Sequence, residues 1–208
     1  MPAVFSVNPN DPEEAAIAQA AALVASGGLV AFPTETVYGL AADAGNPATI
    51  DRLNRLKGRP PDKPYSIHLG QAAQMRAFVE TVPPMAQQLM DQFWPGPLTI
   101  VLSAKDGSTV GFRLPKHPVA QAFLRRCACP VVAPSANRSG CPPPTDAKEV
   151  LASLDGQIDG LLDAGPTPLG RESTVVSVVG GVLTVLREGA IPAQVIRAAL
   201  ERGGSLAR

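Results

Sequence analysis

The sequence lacks several features that would assign a location or a partner directly. It has no apolar run approaching the roughly 20 residues that a bilayer-spanning helix needs. Its first residues, MPAVFSVNPNDPEE, contain no basic stretch followed by an apolar one, as a secretory signal would. We therefore expect a cytoplasmic protein that does not contact membranes. There is no excess of charge either, since 18 Lys and Arg balance 18 Asp and Glu, so net charge gives no indication of nucleic-acid binding.

Motifs for metal binding and covalent catalysis are also absent. Cys127, Cys129 and Cys141 form no pair of CxxC elements and no Cys/His ligand set, which favours reduced structural thiols over a metal site. There is no GxxxxGK[ST] element, so the chain is not a P-loop protein. Without a GxSxG element, or a histidine with an acidic residue to orient it, a serine nucleophile is not expected.

The chain does contain a regular alternation of helical and extended segments. Its 208 residues suit one compact domain, residues 1–208, and no repeat or low-complexity break divides it. The interleaving predicts an α/β protein with a mixed sheet. The predicted helices are Asp11–Ser26, a segment starting at Asn46, Gln71–Glu80, Pro84–Phe93, Val119–Arg126, Asp146–Leu154 and Pro192–Arg202. The predicted strands are Leu29–Phe32, Tyr65–Leu69, Leu98–Ser103, Thr109–Leu114, Val131–Ala133, Leu161–Leu162, Thr174–Val179 and Val182–Leu186.

Two polar segments directly follow predicted elements and have residues suited to anions or hydroxyls. Pro33–Gly39 comes after a buried strand, where α/β folds tend to bind ligands, although its threonines could equally bond their own backbone. The segment Lys57–Lys63 has three cations on a loop stiffened by proline, which could hold a polyphosphate. Cations at the end of a helix are also favourable for dipole reasons alone.

Three further polar segments are less specific. His68 lies in a predicted strand, where a histidine is more often half-buried than catalytic. The alternation in Thr109–Leu114 puts Arg113 on the polar face of its strand, from which it could reach a carboxylate or simply be solvated. Ala133–Gly140 offers hydroxyl and amide groups suited to a nucleotide or triphosphate. Arg187 closes a later strand and could join the same pocket.

The order and spacing of these segments resemble the YrdC/Sua5 family, whose members are L-threonylcarbamoyladenylate synthases. The similarity extends from about Ala15 to Pro192. The motifs that carry it are PTETVYGL, KGRP followed by KP, SIHL, FWPGPLT, FRLP, PSANRSG, EST and LREG. The resemblance implies a YrdC-like twisted open mixed sheet with helices on both sides and a large basic cavity. The length matches the short, single-domain type.

The implied reaction joins L-threonine, bicarbonate and ATP into threonylcarbamoyl-AMP and releases pyrophosphate. Mg²⁺ is expected to accompany ATP, bound mostly through phosphates and water. By resemblance, a separate threonylcarbamoyl transferase complex moves the product to the adenosine beside the anticodon in tRNA. Contact of this chain with tRNA is then indirect or weak.

Position within the motifs implies roles for individual residues. The KxR and SxN pairs that define the family's site correspond to Lys57, Arg59, Ser135 and Asn137. Nucleotide contact is implied for Arg59, Lys63, Thr109, Ser135, Arg187 and the backbone near Pro143. Contact with threonine is implied for Thr34, Thr36, His68, Arg113, Ser173 and the backbone of Ala133, with Tyr38 nearby. Pro143 departs from the family's pattern, because a hydroxyl residue is common there.

Two other functions remain open at this stage. One is a YciO-like paralogue that works on the adenylate, or on another carbamoyl compound, in the hydrolytic direction; the intact KxR and SxN pairs favour the synthase but do not settle the direction. The other is a module that binds double-stranded RNA or tRNA in ribosome maturation without catalysis. The neutral overall charge argues mildly against the second.

Overall fold

Short apolar segments separated by glycine and proline form the strands of one twisted sheet. The structure, a computed structural model, describes residues 1–59, 64–154 and 156–204. Over these residues the strands are β1 (Ala3–Ser6), β2 (Val30–Phe32), β3 (Gly39–Asp43), β4 (Ile67–His68), β5 (Leu98–Ser103), β6 (Thr109–Arg113), β7 (Val131–Val132), β8 (Gly160–Asp163), β9 (Thr174–Val179) and β10 (Val182–Arg187). The helices are α1 (Glu14–Ala25), α2 (Pro47–Lys57), α3 (Pro84–Phe93), α4 (Pro118–Arg126), α5 (Ala147–Leu154) and α6 (Ala193–Gly204).

The sheet order is β1-β8-β2-β3-β7-β4-β6-β5-β9-β10. The sheet contains both parallel pairs, such as β4 with β6 and β5 with β9, and antiparallel pairs, such as β3 with β7. The predicted mixed α/β sheet is therefore confirmed. Strands that are distant in the chain become neighbours, and the order from β3 to β10 brings most of the polar segments to the same part of the sheet.

Two groups of buried apolar residues lie on opposite faces of the sheet, because successive strand residues point to opposite sides. In β3, Leu40 belongs to the group that includes buried residues of α2, α3, α5 and α6, whereas the next residue, Ala41, belongs to the group with buried residues of α1 and α4. Helices thus cover both faces, as expected. Among the described residues, none of the helices combines the length and apolar character needed to cross a bilayer.

Helix α2 has clear start and stop signals, and these fix the position of the cations that follow. The Asn46 side chain accepts hydrogen bonds from the backbone N–H groups of Ala48 and Thr49, and Pro47 occupies the first turn. Gly58 ends the helix in the left-handed conformation at φ 60°. Lys57 therefore lies in the last turn, and Arg59 follows the cap.

Five local predictions need correction, and one of them is the strand Tyr65–Leu69, which is limited to β4 (Ile67–His68). Helix α1 begins at Glu14 and not at Asp11, because the chain before it forms a loop in which Glu13 accepts a hydrogen bond from the Asn8 N–H. The predicted helix Gln71–Glu80 is a 3₁₀ helix limited to Ala72–Ala77. Strands β1 and β3 were not predicted at all, since both are short and β3 is composed largely of small residues.

Candidate functional site

A cavity of about 700 Å³ lies where the polar segments converge. Pockets of this size are typical of small-molecule sites. The predicted site residues that line it are Thr34, Lys57, Arg59, His68, Thr109, Arg113, Ala133, Ser135, Asn137, Pro143, Ser173 and Arg187. Thr36 is buried behind the wall and contacts Arg113. Lys63 lies outside the described residues. Apart from it, the structure brings the predicted residues together.

Arg113 reaches the cavity from β6, as the alternation of that strand predicts. Gly111 and Arg113 line the cavity whereas Phe112 lies in the core. A Cβ at Gly111 would lie 2.6 Å from the Ser66 Oγ, so a larger residue here would force that hydroxyl to move. The next strand places His68 in register with Arg113 through the parallel β4–β6 pair.

The segment that precedes β3 binds the Arg113 guanidinium. Its Nη2 donates to Thr36 Oγ1 at 2.7 Å and lies 3.0 Å from Glu35 Oε2. Thr36 is in turn bonded to Thr34, whose Oγ1 donates to the Val37 carbonyl, so the threonines also bond their own backbone. The Nε–H of Arg113 is buried without a partner among the described residues.

His68 is buried next to this cation. Burial lowers its pKa to about 3, and the positive charge of Arg113 acts in the same direction. The Nδ1 atom lies 3.4 Å from the Ser66 carbonyl oxygen, and the ring packs edge-on against Phe32. The imidazole is therefore neutral at physiological pH and offers a lone pair rather than a charge.

Lys57 and Asn137 bind each other and the loop that follows β7. The Lys57 Nζ donates to the carbonyl oxygens of Ser135 and Asn137, at 2.6 and 2.5 Å, and to Asn137 Oδ1 at 3.3 Å. The Asn137 side chain donates in turn to the carbonyls of Arg138 and Cys141. An ammonium has three donors, and all three are used here. Burial, together with the positive charge of nearby Arg59, lowers the pKa of Lys57 to about 8.

Arg187 lies at the far side of the cavity, at the end of β10. It donates to Glu172 Oε1 at 2.8 Å and to the Ser173 carbonyl at 3.0 Å. Ser173 Oγ also lies 3.0 Å from Thr99 Oγ1 on β5. Glu172 is the one acidic residue among the described residues that line the cavity, against the cations Lys57, Arg59, Arg113 and Arg187.

Some residues of the site carry no sequence signal that identifies them. Glu35 lies within PTETVYGL but its contact with Arg113 is visible only in the fold. Tyr65, which lies under Arg59, is predicted to belong to a strand but precedes β4 in the structure. Glu172 belongs to the EST motif, and its pairing with Arg187 could have been suspected from the antiparallel hairpin between them. Across the described ranges, no group of three His, Cys, Asp or Glu residues could hold a metal ion.

Comparison with known proteins gives consistent matches. The sequence profile of the Sua5, YciO and YrdC proteins, described as telomere recombination, matches residues 22–189. The chain is 43% identical over 201 residues to the threonylcarbamoyl-AMP synthase of Bacillus subtilis (strain 168), a match that covers 92% of this chain and 57% of that protein.

Two solved structures are similar in fold. The structure of P. abyssi Sua5 complexed with L-threonine superposes with a TM-score of 0.89 at 38% identity, covering 94% of this chain and 60% of that one. E. coli YciO superposes with a TM-score of 0.84 at 25% identity, covering 94% of this chain and 100% of that one. The chain thus spans somewhat more than half the length of the Bacillus and Pyrococcus relatives.

Proposed function

We propose, since this chain belongs to the Sua5/YciO/YrdC family, that it converts ATP, L-threonine and bicarbonate into threonylcarbamoyl-AMP and pyrophosphate. The observation that carries the proposal is the shared cavity: cations and hydroxyls from segments more than a hundred residues apart line one space of about 700 Å³. The names of the relatives, and the threonine bound to the Pyrococcus protein, support this choice of substrates.

The end of the cavity near β4 and β6 is suited to the amino acid. Arg113 would pair with the threonine carboxylate through donors that Glu35 and Thr36 leave free. Neutral His68 would accept a hydrogen bond from the threonine amine and orient it. With a pKa of about 3 it would not take up the proton of the ammonium, which would pass to the hydroxide that bicarbonate releases as it forms CO₂. A free amine adds to the carbon of CO₂ from bicarbonate and forms a carbamate.

The other end is suited to the nucleotide. The carbamate oxygen would attack the α-phosphorus of ATP while the bond to pyrophosphate breaks, so no protein nucleophile is needed. Orientation and charge stabilisation are the contributions left to the protein. Arg59 and Arg187 line the cavity and would contact phosphate oxygens, with Ser135 and Thr109 as hydroxyl partners and Pro143 contributing main-chain contact only. Lys63 is expected to join them.

Lys57 has a different role in this proposal from the other cations. Its donors are used by the loop that contains Ser135 and Asn137. We therefore infer that it acts on the nucleotide through the loop, by fixing Ser135 at the cavity wall, and that Asn137 completes the same arrangement.

The cavity suits Mg²⁺ that arrives with ATP. The one carboxylate lining it among the described residues, Glu172, is engaged by Arg187, so the ion would be held by phosphate oxygens and water, with no protein cage. When bound, Mg²⁺ would neutralise charge on the triphosphate.

The product is an activated acyl group and needs an acceptor. We propose that residues 1–208 act as one domain in the cytoplasm, and that a threonylcarbamoyl transferase complex transfers the group to adenosine in tRNA, giving N6-threonylcarbamoyladenosine. This chain would contact tRNA weakly or only through that complex.

Mass spectrometry of the reaction mixture tests the proposed reaction. Threonylcarbamoyl-AMP and pyrophosphate should form from ATP, threonine and bicarbonate, and neither should form when threonine or bicarbonate is omitted. A Lys57→Ala, Arg59→Ala double variant that remains folded should lose the product. Absence of pyrophosphate with the wild-type protein and all substrates would refute the synthase.

A hydrolytic function, the YciO-like alternative that the sequence leaves open, is the second candidate, because the fold also matches that of E. coli YciO. It predicts that added threonylcarbamoyl-AMP is consumed faster than it is formed, and the same assay measures both directions. Binding of double-stranded RNA or tRNA without ATP turnover is the third, and filter binding at increasing salt concentration distinguishes it.

A further inference from the structure

Arg59 lies over an aromatic ring at the cavity wall. Its Cζ atom is 4.6 Å from the centre of the Tyr65 ring, and both residues line the cavity. The Arg59 Nη2 donates to the Pro64 carbonyl at 3.1 Å. Its Nε–H is buried without a partner among the described residues. The guanidinium is thus held on one face and retains an unused donor.

Tyr65 is fixed in turn by helix α2. Its hydroxyl donates to Asn54 Oδ1 at 2.9 Å, and the Asn54 carbonyl accepts the backbone N–H of Arg59 at 3.1 Å. One residue of a well-capped helix therefore anchors both members of the pair. Burial raises the pKa of Tyr65, so its phenol stays protonated and continues to donate. Packing against the core alone would not require the ring to lie under the guanidinium.

We propose that Tyr65 is a positioning residue that holds the Arg59 guanidinium ready for the ATP phosphates, an inference that rests on the proposed synthase function. An unconstrained arginine loses rotamer freedom when it grips an anion, whereas an arginine already stacked on a ring has lost much of it. The ring face also attracts the cation without using its N–H donors, which remain available for phosphate oxygens. Tyr65 itself touches no reacting atom.

Steady-state kinetics with two variants of Tyr65 test this role. Tyr65→Leu removes the ring and should raise the KM for ATP about five- to thirtyfold, the range expected for one cation–π contact. The KM for threonine should stay close to the wild-type value, because among the described residues no hydrogen bond or ring interaction joins Tyr65 to Arg113 or His68. Tyr65→Phe keeps the ring and loses only the hydroxyl, so its KM for ATP should stay within about threefold of wild type.

A double-variant comparison separates positioning from general damage to the fold. In an Arg59→Ala background, Tyr65→Leu should cause no further rise in the KM for ATP, since the residue it positions is gone. Phe93→Leu, which removes another half-buried ring outside the cavity, should leave the KM for ATP unchanged.

The inference is wrong if Tyr65→Leu binds ATP like the wild type, if Tyr65→Phe is as defective as Tyr65→Leu, or if the effects of Tyr65→Leu and Arg59→Ala simply add. A wild-type protein that makes no threonylcarbamoyl-AMP contradicts the proposed function instead. In that case isothermal titration calorimetry of the same variants with ATP still tests the positioning of Arg59. The affinity for ATP should be lower for Tyr65→Leu than for Tyr65→Phe, which should be close to wild type.

Discussion

The Nζ atom of Lys57 lies 2.6 Å from the carbonyl oxygen of Ser135, although 78 residues separate the two in the chain. The contact joins the end of α2 to the loop after β7, and the backbone N–H of Ser139 returns a bond to the Lys57 carbonyl. A lysine in a nucleotide site would ordinarily be assigned to phosphate. Here it binds the carbonyl groups of the loop after β7 instead. A role in holding the loop predicts a different effect on stability and on pH dependence from a role in binding phosphate.

Removing the Lys57 ammonium should destabilise the protein even without ATP. Lys57→Ala leaves carbonyl groups of the loop without their donor, and each unsatisfied buried group costs about 1–3 kcal/mol. For a chain of this size, each kcal/mol corresponds to a fall in Tm of about 2–4 °C. Calorimetry of the unliganded variant measures the loss.

Chemical rescue provides the control for this prediction. Propylammonium replaces the deleted part of the side chain and should raise the Tm of Lys57→Ala, whereas 1-propanol, which lacks the charge, should not. An unliganded variant with the wild-type Tm and a reduced affinity for ATP would mean that Lys57 contacts phosphate rather than the loop.

Activity should fall as the pH rises through about 8, the pKa of Lys57. A neutral amine donates two hydrogen bonds where the ammonium donates three, so the loop is held less firmly. The unfolded chain keeps this proton to pH 10.5. Between the two values the unfolded state binds more protons, and this group makes the free energy of unfolding rise with pH. Activity and stability should therefore change in opposite directions.

Measuring kcat/KM for ATP and Tm of the wild type as functions of pH tests whether activity falls while stability rises. Lys57→Arg keeps its charge throughout, and any residual activity of this variant should lack the decline near pH 8. A decline that persists unchanged in Lys57→Arg would assign it to another group.

The sequence predicts most of the elements but not how they converge. Helix α2 is predictable because Asn46, Pro47 and Gly58 are strong end signals. Strand β3 is not, since Gly39 reads as a turn residue; in the fold it packs closely on Phe32, and an added Cβ would lie 3.1 Å from that ring. The polar segments could be recognised singly. Their meeting depends on the order β3-β7-β4-β6-β5-β9, which periodicity cannot give. The family resemblance implied a shared cavity but no strand order.

Replacing Arg113 with lysine should impair threonine use selectively. A lysine cannot bond Thr36 and Glu35 and still present a second donor to the ligand carboxylate in the same geometry. We expect the KM for threonine to rise at least about tenfold, the effect of losing one charge-assisted hydrogen bond, with the KM for ATP little changed. Initial rates at varied threonine and at varied ATP measure the two values. An equal rise in both would place Arg113 outside an amino-acid subsite.

Loss of Glu35 should destabilise the protein far more than loss of Glu172. Both acids pair with arginine, but the Arg113–Glu35 side chains are only 6% and 7% exposed, against 44% and 37% for Arg187–Glu172. Glu35→Ala leaves a buried guanidinium without its charge partner, which costs about 3–5 kcal/mol. An exposed pair contributes about 1 kcal/mol or less, so Glu172→Ala is the matched control. Urea unfolding at neutral pH compares them, and similar losses for the two variants would contradict the buried pair.

His68 should make the protein sensitive to mild acid. Its pKa is lowered from 6.5 to about 3, so below pH 6.5 the unfolded chain takes up a proton that the folded protein excludes. The free energy of unfolding must then decrease as the pH falls, by about 2 kcal/mol between pH 7 and pH 5 for this group alone.

His68→Asn removes the titration while keeping a polar side chain, and urea unfolding at the two pH values should show a smaller decrease for the variant than for the wild type. The buried His117, whose pKa burial also lowers, contributes equally to both proteins and cancels in the difference. Equal decreases in the free energy of unfolding for the variant and the wild type would mean that His68 takes up its proton in the folded state. The cavity would then hold an imidazolium beside Arg113, and an imidazolium is a poor hydrogen-bond acceptor for the threonine amine.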